Sequence, residues 1–256
     1  MRHDFIDKYS HLDSAVQRLD PRAKILSALA GIVIVVTEPL SARLVHFVLY
    51  FSLMFCVLVI SQLPPRYMLK RLLLVSPFIV MASIFYPLSF YITDKELYLT
   101  ESRLVLNSAL VIFLKALLSV LILIILTSTE KFHRLLLALR KLRFPKLICT
   151  ISALLYRYIF IISDEMLRTT RARESRTPGT LAKGRIKVFG NQVAVIFLRS
   201  WERSTIIYKS MLSRGFTGEY PDIRKLELRP GDIVISASFL IAMLTIRFLD
   251  KIFSII

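Results

Sequence analysis

The chain has 256 residues, 55% of them apolar, yet its formal net charge is +17 and only seven residues are glycine. With a mean hydropathy of +0.61 and a pI near 10.2, this composition argues against a soluble domain. It also argues against a nucleic-acid binder, which has no need of several long apolar runs. Apolarity and positive charge in one chain imply segregation, with apolar spans in lipid and basic segments on the cytoplasmic side. Two cysteines, Cys56 and Cys149, lie far apart in apolar surroundings and read as buried free thiols.

In chain order, residues 1–24 read as a polar lead-in, and no cleavable signal peptide is expected from their pattern. His3, Asp7 and His11 recur at steps of four. Two helical turns rarely close a metal site, so a solvated helical face is the simpler reading. Asp20-Pro21 reads as a helix cap with proline at the first helical position. Apolar runs follow at 25–36, 44–63, 72–92, 104–126 and 233–256. The first is short against the roughly 20 residues of a full span. The third contains Pro77 and Pro87, where kinks are expected. Lys115 lies deep in the fourth and is expected to face other helices or to snorkel. In the last run Arg247, Asp250 and Lys251 are close enough to compensate one another.

Residues 128–231 differ in character, with 21 Lys and Arg against 8 Asp and Glu. The stretch 129–143 alternates leucines with basic residues, and 147–162 is apolar but carries Arg157 at its centre, too charged for a clear span. This region reads as helices at or just below the membrane surface. The predicted fold is therefore all-α, a polytopic membrane protein of about five spans. Residues 1–127 hold the lead-in and four spans, 128–231 a cytosolic surface region, and 232–256 the last span. Basic loops place the N-terminus in the cytosol and the 37–43 and 93–103 loops outside.

Enzyme signatures are missing from the sequence. The four histidines, at 3, 11, 46 and 133, are scattered. Gly179-Thr-Leu-Ala-Lys-Gly184 has phosphate-loop spacing, but Arg185 stands where the lysine belongs and Ile186 where Ser or Thr would hold magnesium. Two helix ends stand out instead. Phe197, Trp201, Tyr208 and Leu212 share a helix face predicted to pack on neighbouring helices, and the helix should stop at Gly215. Ser213-Arg214-Gly215 and Ser175-Arg176-Thr177 each set an arginine between small residues at a helix end. Such a guanidinium is sterically free to enter a partner's groove. Equally, it serves its own helix dipole.

The motifs 5–14, Arg18-Leu-Asp-Pro-Arg-Ala-Lys24, 136–145, Tyr156-Arg-Tyr158 and 199–216 resemble the transmembrane T component of energy-coupling factor (ECF) transporters, the CbiQ family in particular. The family carries two short x-Arg-x motifs at the ends of coupling helices, matched here by Ser175-Arg176-Thr177 and Ser213-Arg214-Gly215. Serine before each arginine and Thr177 after the first depart from its usual alanine and glycine or serine. The resemblance implies that 128–231 is a coupling-helix region and that those six residues dock two cytosolic ABC-type ATPase subunits. The motion passes to a membrane substrate-binding subunit, for uptake of cobalt, with nickel or a vitamin as alternatives. The chain itself would be non-catalytic, without cofactor or metal, in the inner or plasma membrane. A membrane enzyme or a self-sufficient ion carrier are the competing classes.

Overall fold

The structure is a computed structural model and describes residues 14–40, 44–93, 102–176, 185–218 and 228–249. Among these, every regular element is helical: α1 (Ala15–Arg18), α2 (Pro21–Val36), α3 (Leu44–Ser61), α4 (Pro65–Thr93), α5 (Ser102–Thr129), α6 (Phe132–Lys141), α7 (Lys146–Arg176), α8 (Arg185–Ser213) and α9 (Pro230–Arg247). Two compact units result. Of the described residues, those from Ser14 to Ala138 and from Leu228 onward form a bundle, and those from Leu139 to Gly218 form the second unit.

In the bundle, α2 starts as its sequence dictates. Asp20 caps it, one carboxylate oxygen accepting from the Arg22 N–H at 2.8 Å, and Pro21 fills the first helical position without losing a hydrogen bond. Helix α5 packs against α2, α3 and α4, and α9 packs against α2 and α3. Val35, Tyr50, Leu118 and Met243 are completely buried between them. At Gly31 helix α2 meets α5 and α9, and a Cβ there would make ordinary van der Waals contact with Phe239, Met243 and Ile122 at 3.5–3.7 Å. The outer face is apolar too, with Phe55, Leu74 and Phe78 each more than 60% exposed. Large apolar side chains on the outside suit a bundle whose solvent is lipid.

Polar contacts define the two ends of this bundle. At one end Lys24 Nζ donates to Glu130 Oε1 and, at 3.3 Å, to the Gln17 carbonyl. Arg134 Nε lies 3.6 Å from the other oxygen of Glu130, and Asp232 adds attraction to Lys24. Arg71 donates to Ser128 Oγ at 3.3 Å at this end. At the opposite end Lys115 donates to the carbonyls of Val36 and Glu38. Arg247 donates to Thr37 Oγ1 at 2.8 Å and its carbonyl at 3.3 Å, and Tyr50 Oη to Glu38 at 2.6 Å. Helices α2, α4 and α9 therefore run one way, and α3 and α5 the other.

Several sequence expectations meet these facts. Lys115 faces α2, whose last carbonyls lack intrahelical donors and accept from it. Arg247 is engaged by Thr37 rather than by its own helix, and Asp250 and Lys251 lie outside the described residues. Helix α4 continues through both prolines. Pro77 removes the donor for the Leu73 carbonyl, and Ser76 Oγ replaces it at 2.9 Å. Cys149 is buried as expected, but Cys56 is exposed on the apolar exterior of α3.

Five helices are long and apolar enough to cross a membrane: Leu44–Ser61, Pro65–Ser89, Val105–Thr129, Lys146–Ser175 and Pro230–Arg247. The number matches the sequence reading but the membership differs. Helix α2 has 16 residues, roughly 24 Å against a hydrocarbon core of about 30 Å. Helix α7 qualifies through its first half, where 146–163 carries only two charges, Lys146 and Arg157, before the charged stretch that begins at Asp164.

Neutralising one member of the buried Lys24–Glu130 pair strands the other, at a cost of about 3–5 kcal/mol. Lys24→Met and Glu130→Leu should each lower the thermal unfolding midpoint in detergent sharply. The double variant should recover most of the loss, and additive losses would show that the pair does not couple.

Candidate functional site

The second unit is built on α7 and α8, which pair in opposite directions. Gln192 is the staple. Its amide nitrogen donates to Thr170 Oγ1 at 2.6 Å and to Thr169 Oγ1 at 3.2 Å, and its oxygen accepts from Arg173 at 3.3 Å. Seven residues on, two helical turns away, Arg199 meets Glu165 at 2.6 Å. Rising numbers on α8 thus meet falling numbers on α7.

The antiparallel sense sends the two arginine tips to opposite ends of the pair. The described part of α7 reaches Arg176, a short way past the staple. Helix α8 continues some 22 residues beyond Gln192 to Arg214, so the two tips are separated along the pair by on the order of 40 Å. Arg176 is the last described residue of its segment, and Thr177 lies outside the described residues.

The α8 tip is locked by its own backbone. Gly215 N–H donates to the Leu212 carbonyl and Phe216 N–H to that of Met211, both at 3.0 Å. Gly215 takes φ +78°, a conformation that costs glycine little. Arg214 is therefore the C-cap, exposed and directed by a closed turn. Ser213 Oγ folds back to the Lys209 carbonyl at 2.8 Å, and Ser175 Oγ to that of Ala172 at 3.0 Å. Both serines spend their donor on their own helix. At the α8 tip this leaves Arg214 as the side chain that offers donors outward.

The apolar stripe of α8 corrects the sequence reading. Phe197, Trp201, Tyr208 and Leu212 are 49–67% exposed. The half-buried row is Val188, Gln192, Ile196, Ser200, Ile207 and Met211. Hydrogen bonding by Gln192 turns that mixed row toward α7 and leaves the aromatic row outside. Periodicity locates an apolar face but does not say what covers it.

Near the α8 tip, Arg140, Arg157 and Arg214 line one open groove of about 880 Å³. The sequence reading saw Arg157 only as an interruption. Of the other sequence candidates, His3, Asp7 and His11 lie outside the described residues, as does the loop 177–184. Among the described residues no group of three or more His, Cys, Asp or Glu is placed to hold a metal ion.

Residues 13–224 match the family described as cobalt transport protein, CbiQ. This chain belongs to that family. It is thus a cobalt transport component by family, and with its apolar helices a multi-pass membrane protein. It is 25% identical over 254 residues to the uncharacterized protein MJ1571 of Methanocaldococcus jannaschii, covering 95% of this chain and 86% of that one. It is 30% identical over 118 residues to MJ1089 of the same organism, covering 45% and 44% of the two chains. Over 93 residues it is 32% identical to the putative fused cobalt transport protein CbiMQ of Methanocorpusculum labreanum, covering 36% of this chain and 16% of that protein.

Replacing Gln192 by Leu removes the hydrogen bonds that choose which face of α8 meets α7. A loss of about 1–3 kcal/mol is expected. Amide hydrogen exchange along residues 166–173 should therefore rise in Gln192→Leu, and unchanged exchange would show that the staple is idle.

Proposed function

We propose that this chain is the transmembrane coupling subunit of an ATP-driven ECF-type importer, joining two cytosolic ATPase subunits to a membrane substrate-binding subunit for cobalt uptake. The observation that supports this best is the placement of Arg176 and Arg214 at opposite ends of one antiparallel helix pair. Two tips about 40 Å apart suit two separate docking grooves, one on each ATPase. A guanidinium offers each groove a planar, permanently charged fork for carboxylates or carbonyls. Ser175, Thr177, Ser213 and Gly215 keep the residues flanking those forks small.

The exposed row Phe197, Trp201, Tyr208 and Leu212 supports the second half of the reading. An apolar stripe of this length on a basic helix calls for a membrane-embedded partner. Movement of the tips would carry that stripe with it, because α8 is one unbroken helix.

Orientation follows from charge. The bundle end that bears Lys24, Arg71 and Arg134 would face the cytosol, with the N-terminus there too. The chain leaves the bundle after Ala138 and re-enters before α9, and Glu130 and Asp232 both lie at the Lys24 end. Leaving and returning on one side requires an even number of crossings between them. Helix α8 is not among the helices apolar enough to span, so α7, despite its length, would stay on the cytosolic side.

Arg176→Ala and Arg214→Ala together should abolish co-purification with the ATPase subunits, since an unpaired buried charge costs roughly 2–5 kcal/mol per site. Undiminished retention and full cobalt uptake would sink the coupling role. With Cys56 and Cys149 replaced, single cysteines at Thr37 and Thr217 should react with an impermeant thiol reagent from opposite sides of the membrane. Reaction from one side would refute the orientation.

A further inference from the structure

We infer that a cavity inside the bundle is the seat of one hydrocarbon chain of a membrane phospholipid. The cavity has a volume of about 340 Å³ and lies between α2, α3, α5 and α9. Its inner wall is Ala28, Met54, Ile122 and Ile125, all buried. Two of the hydroxyls that line it serve their own helices. Ser27 Oγ donates to the Lys24 carbonyl at 3.1 Å, and Thr129 Oγ1 to the Ile125 carbonyl at 2.9 Å. Water needs several polar partners and finds few here. The space is roughly twice the size of an apolar cavity that takes one benzene. Left empty, it would forfeit the dispersion contacts of its whole lining. Hydrocarbon is the filling that restores them.

Access and polarity name the occupant. Of the residues that line the cavity, the exposed ones are Ile60 of α3 and Ile235 of α9. The cavity therefore opens sideways between these helices, onto the same apolar exterior that lipid covers. Its polar end is marked by Lys24 and Thr129, and Ile122 lies roughly 10 Å deeper along α5. That gradient matches a lipid with its head at the Lys24 end and its tail running inward. Lys24 Nζ uses two of its three protons, on Glu130 and on the Gln17 carbonyl. The third is left for a headgroup oxygen. Because Glu130 already sits on Lys24, a second carboxylate at this end would be repelled, which favours the glycerol-linked oxygens of a phospholipid over a free fatty acid. A tail seated here braces α3 and α9 beside the Lys24–Glu130 pair.

The test uses the full chain in vesicles of phosphatidylethanolamine and phosphatidylglycerol, doped with a phospholipid that carries a diazirine midway along one tail. On illumination, adducts should form on Met54 and Ile122, which are 2% and 3% exposed and which bulk lipid does not reach. Ala28→Leu adds bulk to the inner wall, and Ser236→Phe fills the cavity from the α9 side. Each should lower those adducts on the order of tenfold, while labelling of Phe55 and Leu74 on the outer face stays unchanged. Adducts confined to exposed side chains in the wild-type chain would overturn the inference, and that readout needs no variant to fold. Undiminished labelling of Met54 in both filled variants would overturn it as well. If a diazirine fatty acid labels Met54 and the phospholipid does not, the occupant is a free fatty acid and the phospholipid assignment fails.

Discussion

The Lys24–Glu130 ion pair is the contact on which the bundle's geometry depends. Both side chains are at least nine-tenths buried. Charges so placed are tolerable only when paired and hydrogen-bonded. That requirement fixes the start of α2 against the end of α5. Glu130 also lies two residues before α6 begins. The point at which the chain leaves the bundle for the second unit is therefore held by the same contact.

The other end of α2 poses a second problem with a related solution. The helix is short, and its terminal carbonyls lie beside apolar neighbours without intrahelical donors. Lys115 and Arg247 supply donors from α5 and α9. A cation deep in an apolar run thus acts as a helix cap borrowed from another helix. Ser76 does the same locally for the carbonyl freed by Pro77. In each case the polar group sits where lipid would leave a backbone atom unsatisfied.

The second unit uses polar contacts for a different end. Hydrogen bonds through Gln192, with the Arg199–Glu165 pair, choose one face of α8 for α7. What remains outward is the aromatic row. The same pairing points the arginine tips apart. The closed turn at Gly215 keeps Arg214 from fraying out of position.

Features that depend on a few consecutive residues were legible in the amino-acid order. Asp20-Pro21 starts a helix and Gly215 stops one because capping and left-handed backbone are settled within a single turn. The apolar runs led to the all-α class for the same reason. Contacts between distant positions came only with the folded chain. Lys24 and Glu130 are separated by 106 positions, and nothing local links Lys115 to the end of α2. The staple residue Gln192 reads as an ordinary polar position, and the groove of Arg140, Arg157 and Arg214 draws on three helices. Even the apolar row of α8 was visible without its exposure being so. Backbone sterics act over one turn, whereas burial and charge pairing depend on how whole helices dock.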